Sequence, residues 1–171
     1  FNVQREFGQN LAFEAGYLGS VSRKLESLRA VNEAIPGATG SVISRSPYPN
    51  FGRIQLVDNG GRGNYNSLGV KLTKRYSSGL SALVSYTWAK SLDETSGIRV
   101  NDGDTLFPQN SYCMRCERGY SSFDTRHRAV TSVLYDLPVG KGRSMSIDNP
   151  VLEAIAGGWQ VGSIFTLSTG F

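Results

Sequence analysis

The chain has 171 residues, 39% of them hydrophobic, with 20 glycines, 8 tyrosines, 8 phenylalanines and a formal charge of +4. Mean hydropathy is −0.25, and no run approaches the ~20 apolar residues of a membrane-crossing helix. Lysines and arginines are spread along the sequence, which argues against a nucleic-acid partner, whose binders gather cations on one face or in one run.

The length would suffice for one soluble domain, but glycine and aromatics at this hydrophobic share suit strands and turns better than a helical bundle. At the N-terminus Phe1, Val3 and Phe7 alternate with Asn2, Gln4 and Glu6. After Gly8–Asn10, Leu11, Phe13, Ala15 and Tyr17 alternate with Ala12, Glu14 and Gly16. Side chains along a strand alternate faces, so residues 1–18 read as a two-faced hairpin. A long surface loop, about 19–63, is expected next. Its glycine-rich end, Asn59–Asn64, lacks the Gly-Lys-Ser/Thr of a phosphate loop and precedes a strand, so it reads as a turn.

Residues 64–92 form the clearest hairpin. Leu68, Val70, Leu72, Lys74 and Tyr76 share one parity, and Lys71, Thr73 and Arg75 the other. Ser77-Ser78-Gly79 is a short turn. Beyond it Leu80, Ala82, Val84, Tyr86 and Trp88 oppose Ser81, Leu83, Ser85 and Thr87. A second long loop, about 93–124, carries Cys113-Met114-Arg115-Cys116. The spacing matches half a zinc site or a redox pair. With one histidine in the chain and no βαβ context, a local disulfide is preferred to free thiols, and both to metal.

The last hairpin spans 125–170. Ala129, Thr131, Val133 and Tyr135 oppose Arg128, Val130, Ser132 and Asp136. Trp159, Val161, Phe165 and Leu167 oppose Gln160, Ile164, Thr166 and Ser168. The connection between them has a helix-start signal, Asp148-Asn149-Pro150, before Val151–Ala156. Asp124, His127 and Ser121 or Ser122 could be imagined as a catalytic triad, but no nucleophile elbow accompanies them. A salt-bridged strand start is the better reading, and no catalytic or cofactor residue is expected.

About six long strands follow, each near the ~9–11 residues that cross a bilayer when tilted. Soluble strands average nearer ~5–6. Short turns on one rim and long loops on the other are the asymmetry of outer-membrane barrels. The fold expected is all-β, an antiparallel segment of a large transmembrane outer-membrane barrel, an open sheet on its own. Both ends read as lying inside a longer protein. Phe171 resembles the terminal aromatic of such barrels, though an internal end can fall on any residue.

On this reading the lumen-facing candidates are Lys71, Arg75, Ser81, Ser85, Thr87, Arg128, Gln160 and Thr166. The lipid-interface aromatics are Tyr17, Tyr76, Trp88, Tyr135 and Trp159. Tyr48, Arg99, Asp102, Tyr112 and Tyr120 are loop candidates for ligand contact.

Several strings resemble one family. Asn64-Tyr65-Asn66-Ser67-Leu68, Lys74-Arg75-Tyr76-Ser77-Ser78-Gly79-Leu80 and Ser85-Tyr86-Thr87-Trp88-Ala89-Lys90-Ser91-Leu92-Asp93 are similar to TonB-dependent outer-membrane receptors. The nearest likeness is to the Oar-like group, whose receptors carry a carboxypeptidase-regulatory-like domain. Glu117–Arg128, Tyr135–Arg143, Gly157–Val161 and Ser168–Phe171 extend the resemblance over nearly the whole chain. It implies a wall segment of a barrel of roughly 22 strands around a plug. It also implies outer-membrane lipid, an extracellular ligand and, through a plug absent from these residues, the inner-membrane TonB complex as partners. The Cys113/Cys116 pair is not part of the resemblance. A porin or surface adhesin without energy coupling, and a soluble secreted all-β binding domain, are the competing readings.

Overall fold

The structure, a computed structural model, describes residues 1–37, 39–98 and 107–170; Arg99, Asp102 and Phe171 lie outside the described residues. No helix among them is long and apolar enough to cross a membrane. They form a seven-stranded antiparallel sheet, open rather than closed. The strands are β1 (Asn2–Phe7), β2 (Leu11–Ala30), β3 (Gln55–Ser77), β4 (Leu80–Asp93), β5 (Gly119–Tyr120), β6 (His127–Asp136) and β7 (Gln160–Ser168). Their order is β1-β2-β3-β4-β6-β7, with the two-residue β5 on β4. Two short helices, α1 (Val42–Arg45) and α2 (Pro150–Ala156), and a 3-10 turn at Met114–Glu117 lie in the connections.

The chain divides into two compact units. The first comprises Phe1–Leu18, Ser67–Ala89 and Thr125–Gly170. Its register places like faces together. Asn2, Gln4 and Glu6 pair with Gly16, Glu14 and Ala12. Ser81, Leu83, Ser85 and Thr87 pair with Leu134, Ser132, Val130 and Arg128. Those in turn lie beside Gly162, Ile164, Thr166 and Ser168. The β3–β4 turn has Ser78 at φ 52° and Gly79 at φ 76°, the two positive values that a type I′ hairpin requires.

The second unit comprises Gly19–Asn66 and Lys90–Asp124. Here the strands run further than their sequence pattern suggests. β2 continues to Ala30 and β3 begins at Gln55, so the connection between them covers 31–54 and not 19–63. Two features hide this. Lys24 takes φ 59° inside β2, which breaks the alternation. Asn59–Asn64, expected as a turn, lies within β3. Its glycines serve close approach: a Cβ on Gly61 would meet Thr95 Cγ2 at 2.4 Å and Leu25 Cβ at 3.1 Å.

Among the described residues the buried hydrophobic side chains are Leu28, Ala30 and Ala89. In the first unit large apolar groups stand in the open, with Val161, Phe165 and Leu167 at 52%, 59% and 73% exposure. A water-soluble sheet would cover that face with a second layer.

Candidate functional site

The polar face of the first unit is a ladder of charges and hydroxyls. Lys71 Nζ lies 3.8 Å from Glu14, and the Arg75 guanidinium pairs with Glu6. Arg75 Nη1 also donates to the Gln9 carbonyl at 3.1 Å. The two cations and two carboxylates come from strands that are adjacent only after pairing. A hollow of about 500 Å³ opens on this face beside Ser67, Lys71, Ser85 and Thr87. Gly16 and Gly69 line it too; having no side chains, they leave it unfilled.

Arg128, Thr166 and Gln160 belong to the same face as Ser81, Ser85 and Thr87 through the β4–β6 and β6–β7 registers. Arg128 stands near one end of β6 and Asp136 at the other. Asp136, 8% exposed, accepts from Gln160 Nε2 at 2.7 Å, Arg143 Nη2 at 3.0 Å and the Tyr76 hydroxyl.

That last bond corrects the placement of Tyr76. Its parity with Leu68, Val70 and Leu72 put it among the lipid-interface aromatics, but its hydroxyl reaches Asp136 on the polar face. Arg75 and Tyr76, consecutive in β3, both find partners there. Tyr76 stands next to the last residue of β3, where its long side chain reaches Asp136 at the end of β6.

The opposite face is apolar. Trp88, Tyr86, Val84, Ala82 and Leu80 pair with His127, Ala129, Thr131, Val133 and Tyr135. The sole histidine is bound to a phenol: Tyr86 Oη and His127 Nδ1 are 2.7 Å apart with the rings stacked. Tyr17 shares the Val3–Ala15 face and closes the β1–β2 ladder, its N–H donating to the Phe1 carbonyl at 2.8 Å. Trp159 extends the β6–β7 ladder by one rung, since its carbonyl accepts from Leu137 N–H at 2.9 Å. Arg5, passed over by the alternation, sits on this face opposite Phe13, its guanidinium 5.2 Å from the Phe7 ring centre. A guanidinium laid over the ring nearer the strand end is how a long cation leaves an apolar surface.

The second unit holds the loop candidates. Cys113 and Cys116 are joined in a disulfide. Tyr112 Oη donates to the Glu33 carbonyl at 2.6 Å, and Lys90 lies over the Tyr120 ring at 5.5 Å. The Tyr48 N–H and carbonyl are both held by the Asn32 side chain. Asp58 accepts from Ser27 and Arg29 side chains and from Gly60 N–H at 3.1 Å. The Ser27 hydroxyl, then the Gly60 amide and Arg29, hold its carboxyl below the ordinary value of 3.8, against the opposing effect of burial. No group of three or more metal-ligating side chains occurs among the described residues.

A family model described as "Outer membrane beta barrel domain" matches residues 1–171. The chain belongs to this family. No curated protein and no solved structure matches it. The location of an outer membrane beta barrel domain is the outer membrane. Barrel walls there carry alternating faces, one for lipid and one for the lumen. Membership also explains the missing core: an outer-membrane barrel domain stabilises an apolar face in hydrocarbon and needs no second protein layer. The open edges β1 and β7 leave backbone groups that must be paired wherever they meet lipid.

Proposed function

We propose that this outer-membrane barrel domain is a wall segment of a TonB-dependent receptor, acting in energised uptake of an extracellular ligand and not in catalysis. In this reading Lys71, Arg75, Ser81, Ser85, Thr87, Arg128, Gln160 and Thr166 face the lumen, and Tyr17, Trp88, Tyr135 and Trp159 the lipid interface. The observation that carries it is the polar face, where the Lys71–Glu14 and Arg75–Glu6 pairs stand among hydroxyls. Charges of both signs on one face are costly against lipid and suit a wet passage. Resemblance of the strings from Asn64 to Asp93 and from Glu117 to Arg143 to TonB-dependent receptors supports energy coupling over free diffusion.

The test is conductance of the full-length protein in a planar bilayer. A plugged receptor stays closed until its plug is removed, and then conducts. Steady conductance from the outset would replace this reading with a porin. The unplugged barrel also gives a check on facing. Lys71→Glu with Arg75→Glu should shift its selectivity toward cations, whereas unchanged selectivity would remove both residues from the lumen.

A further inference from the structure

The β6–β7 connection folds with its apolar side outward. Asn149 caps α2, its Oδ1 accepting from Val151 N–H at 2.9 Å, and Pro150 sits in the first turn, where a missing N–H costs nothing. At ~100° per residue Val151, Leu152 and Ile155 fall within one arc, with Glu153 on the far side. Glu153 is turned into the connection, where its Oε1 accepts from Lys141 N–H at 2.7 Å. The three aliphatic residues are 66%, 55% and 64% exposed. A seven-residue helix is marginal in water, and this one displays the face that water would drive inward.

Trp159 ties the helix to the wall. Its indole N–H donates to the Ile155 carbonyl at 2.7 Å, and its ring is 60% exposed. The Leu137–Trp159 rung puts it on the face of Tyr135 and Val161. The helix thus continues the apolar face past the end of the strands. It does so at the rim of the short turns Gly8–Asn10 and Ser78–Gly79, which is periplasmic in this class of barrel.

We infer that α2 is an interfacial foot: Val151, Leu152 and Ile155 insert among the phospholipids of the inner leaflet, anchored by Trp159. Tryptophan is favoured at that depth, and an amphipathic helix lying in the interface gains in proportion to the apolar area it buries. The inference rests on the lipid-facing assignment of the Trp159–Val161–Leu167 face. It does not depend on energy coupling.

The test uses the full-length protein in phosphatidylethanolamine–phosphatidylglycerol vesicles. An environment-sensitive fluorophore is attached after assembly to Leu152→Cys, Ile155→Cys, Leu167→Cys as a strand control, or Lys141→Cys as an exposed control. No free cysteine of this chain competes for label among the described residues. The expected result is quenching at 152 and 155 by lipids brominated near the headgroup, with protection from aqueous iodide. The Lys141 label should behave oppositely. Iodide quenching at 152 and 155 overturns the foot, and so does protection from both quenchers, which would mean a protein occupant. If the Leu167 label also escapes the brominated lipids, the facing assignment has failed and not the foot alone. Should labelling at 152 or 155 prevent assembly, Val151→Cys gives the same readout.

Discussion

The Tyr76 hydroxyl donates to Asp136 across 60 residues of sequence, joining the end of β3 to the end of β6. Asp136 also receives Arg143 from the following turn and Gln160 from β7. One carboxylate thus collects three donors from three parts of the chain, at the end of the sheet where the short turns lie. Removing the acceptor strands all three, whereas removing one donor leaves two in place. Asp136→Ala should therefore destabilise the assembled barrel clearly more than Tyr76→Phe. Urea unfolding of the full-length protein in detergent, followed by heat-modifiable gel mobility, would rank them. Equal effects would mean that Tyr76 alone matters to the cluster.

Asp58 should make the second unit acid-sensitive. Its carboxyl is held below the ordinary carboxylate value, first by Ser27. A group with a depressed folded value adds stability that is present above its unfolded value, near ~4, and is lost as pH falls through the folded one. Limited proteolysis of the 19–66 region should show wild type more protected than Asp58→Asn at pH 7. The gap should close below about pH 4. A gap constant with pH would assign the protection to packing.

Gly61 tests the close approach inside β3. Gly61→Ala forces a methyl against Thr95 Cγ2 and Leu25, an overpacking of the kind that costs about 1–3 kcal/mol. Gly60→Ala meets the ends of the Asp58 and Ser27 side chains, at 3.2 and 3.5 Å, and should be milder. Hydrogen exchange of the β2 and β3 amides around Leu25 and Gly61 would separate them.

Ser78 adopts a left-handed conformation that its side chain does not favour. Asparagine tolerates that conformation and leads type I′ turns. Ser78→Asn should stabilise the hairpin by about 0.5 kcal/mol, and Ser78→Val should destabilise it by more. Refolding yield and unfolding midpoint in detergent would record both.

The Cys113–Cys116 bridge closes a loop with a sequence separation of 3. So short a loop removes little chain entropy, about 2 kcal/mol or less. Cys113→Ser with Cys116→Ser should leave the barrel assembled and raise protease cleavage only within 107–124. Loss of assembly would give the bridge a larger role than its loop length allows.

Alternation was legible wherever one face must be apolar. The pairing of Ser81, Ser85 and Thr87 with the Arg128 strand, and of Trp88 with the Tyr135 strand, follows the parity of the sequence. Beyond that stretch the signal fades, because Lys24 at φ 59° and the glycines of Asn59–Asn64 interrupt the alternation. Hence residues 19–30 and 55–63 read as loop although all of them are strand. Arg5 was missed because a cation within an apolar alternation looks like an exception, and its escape over Phe7 is visible only in space.

Sequence by itself determined that this chain makes long two-faced strands, that short turns fall at Gly8–Asn10 and about Ser78–Gly79 and which residues of those hairpins alternate, because each is a local consequence of side-chain order. Tertiary structure alone decided which carboxylate each cation meets and which way Tyr76 turns. It also decided that α2 shows its apolar side outward. Those depend on register, on the reach of a long side chain and on backbone approach between distant segments, none of which is encoded in neighbouring residues.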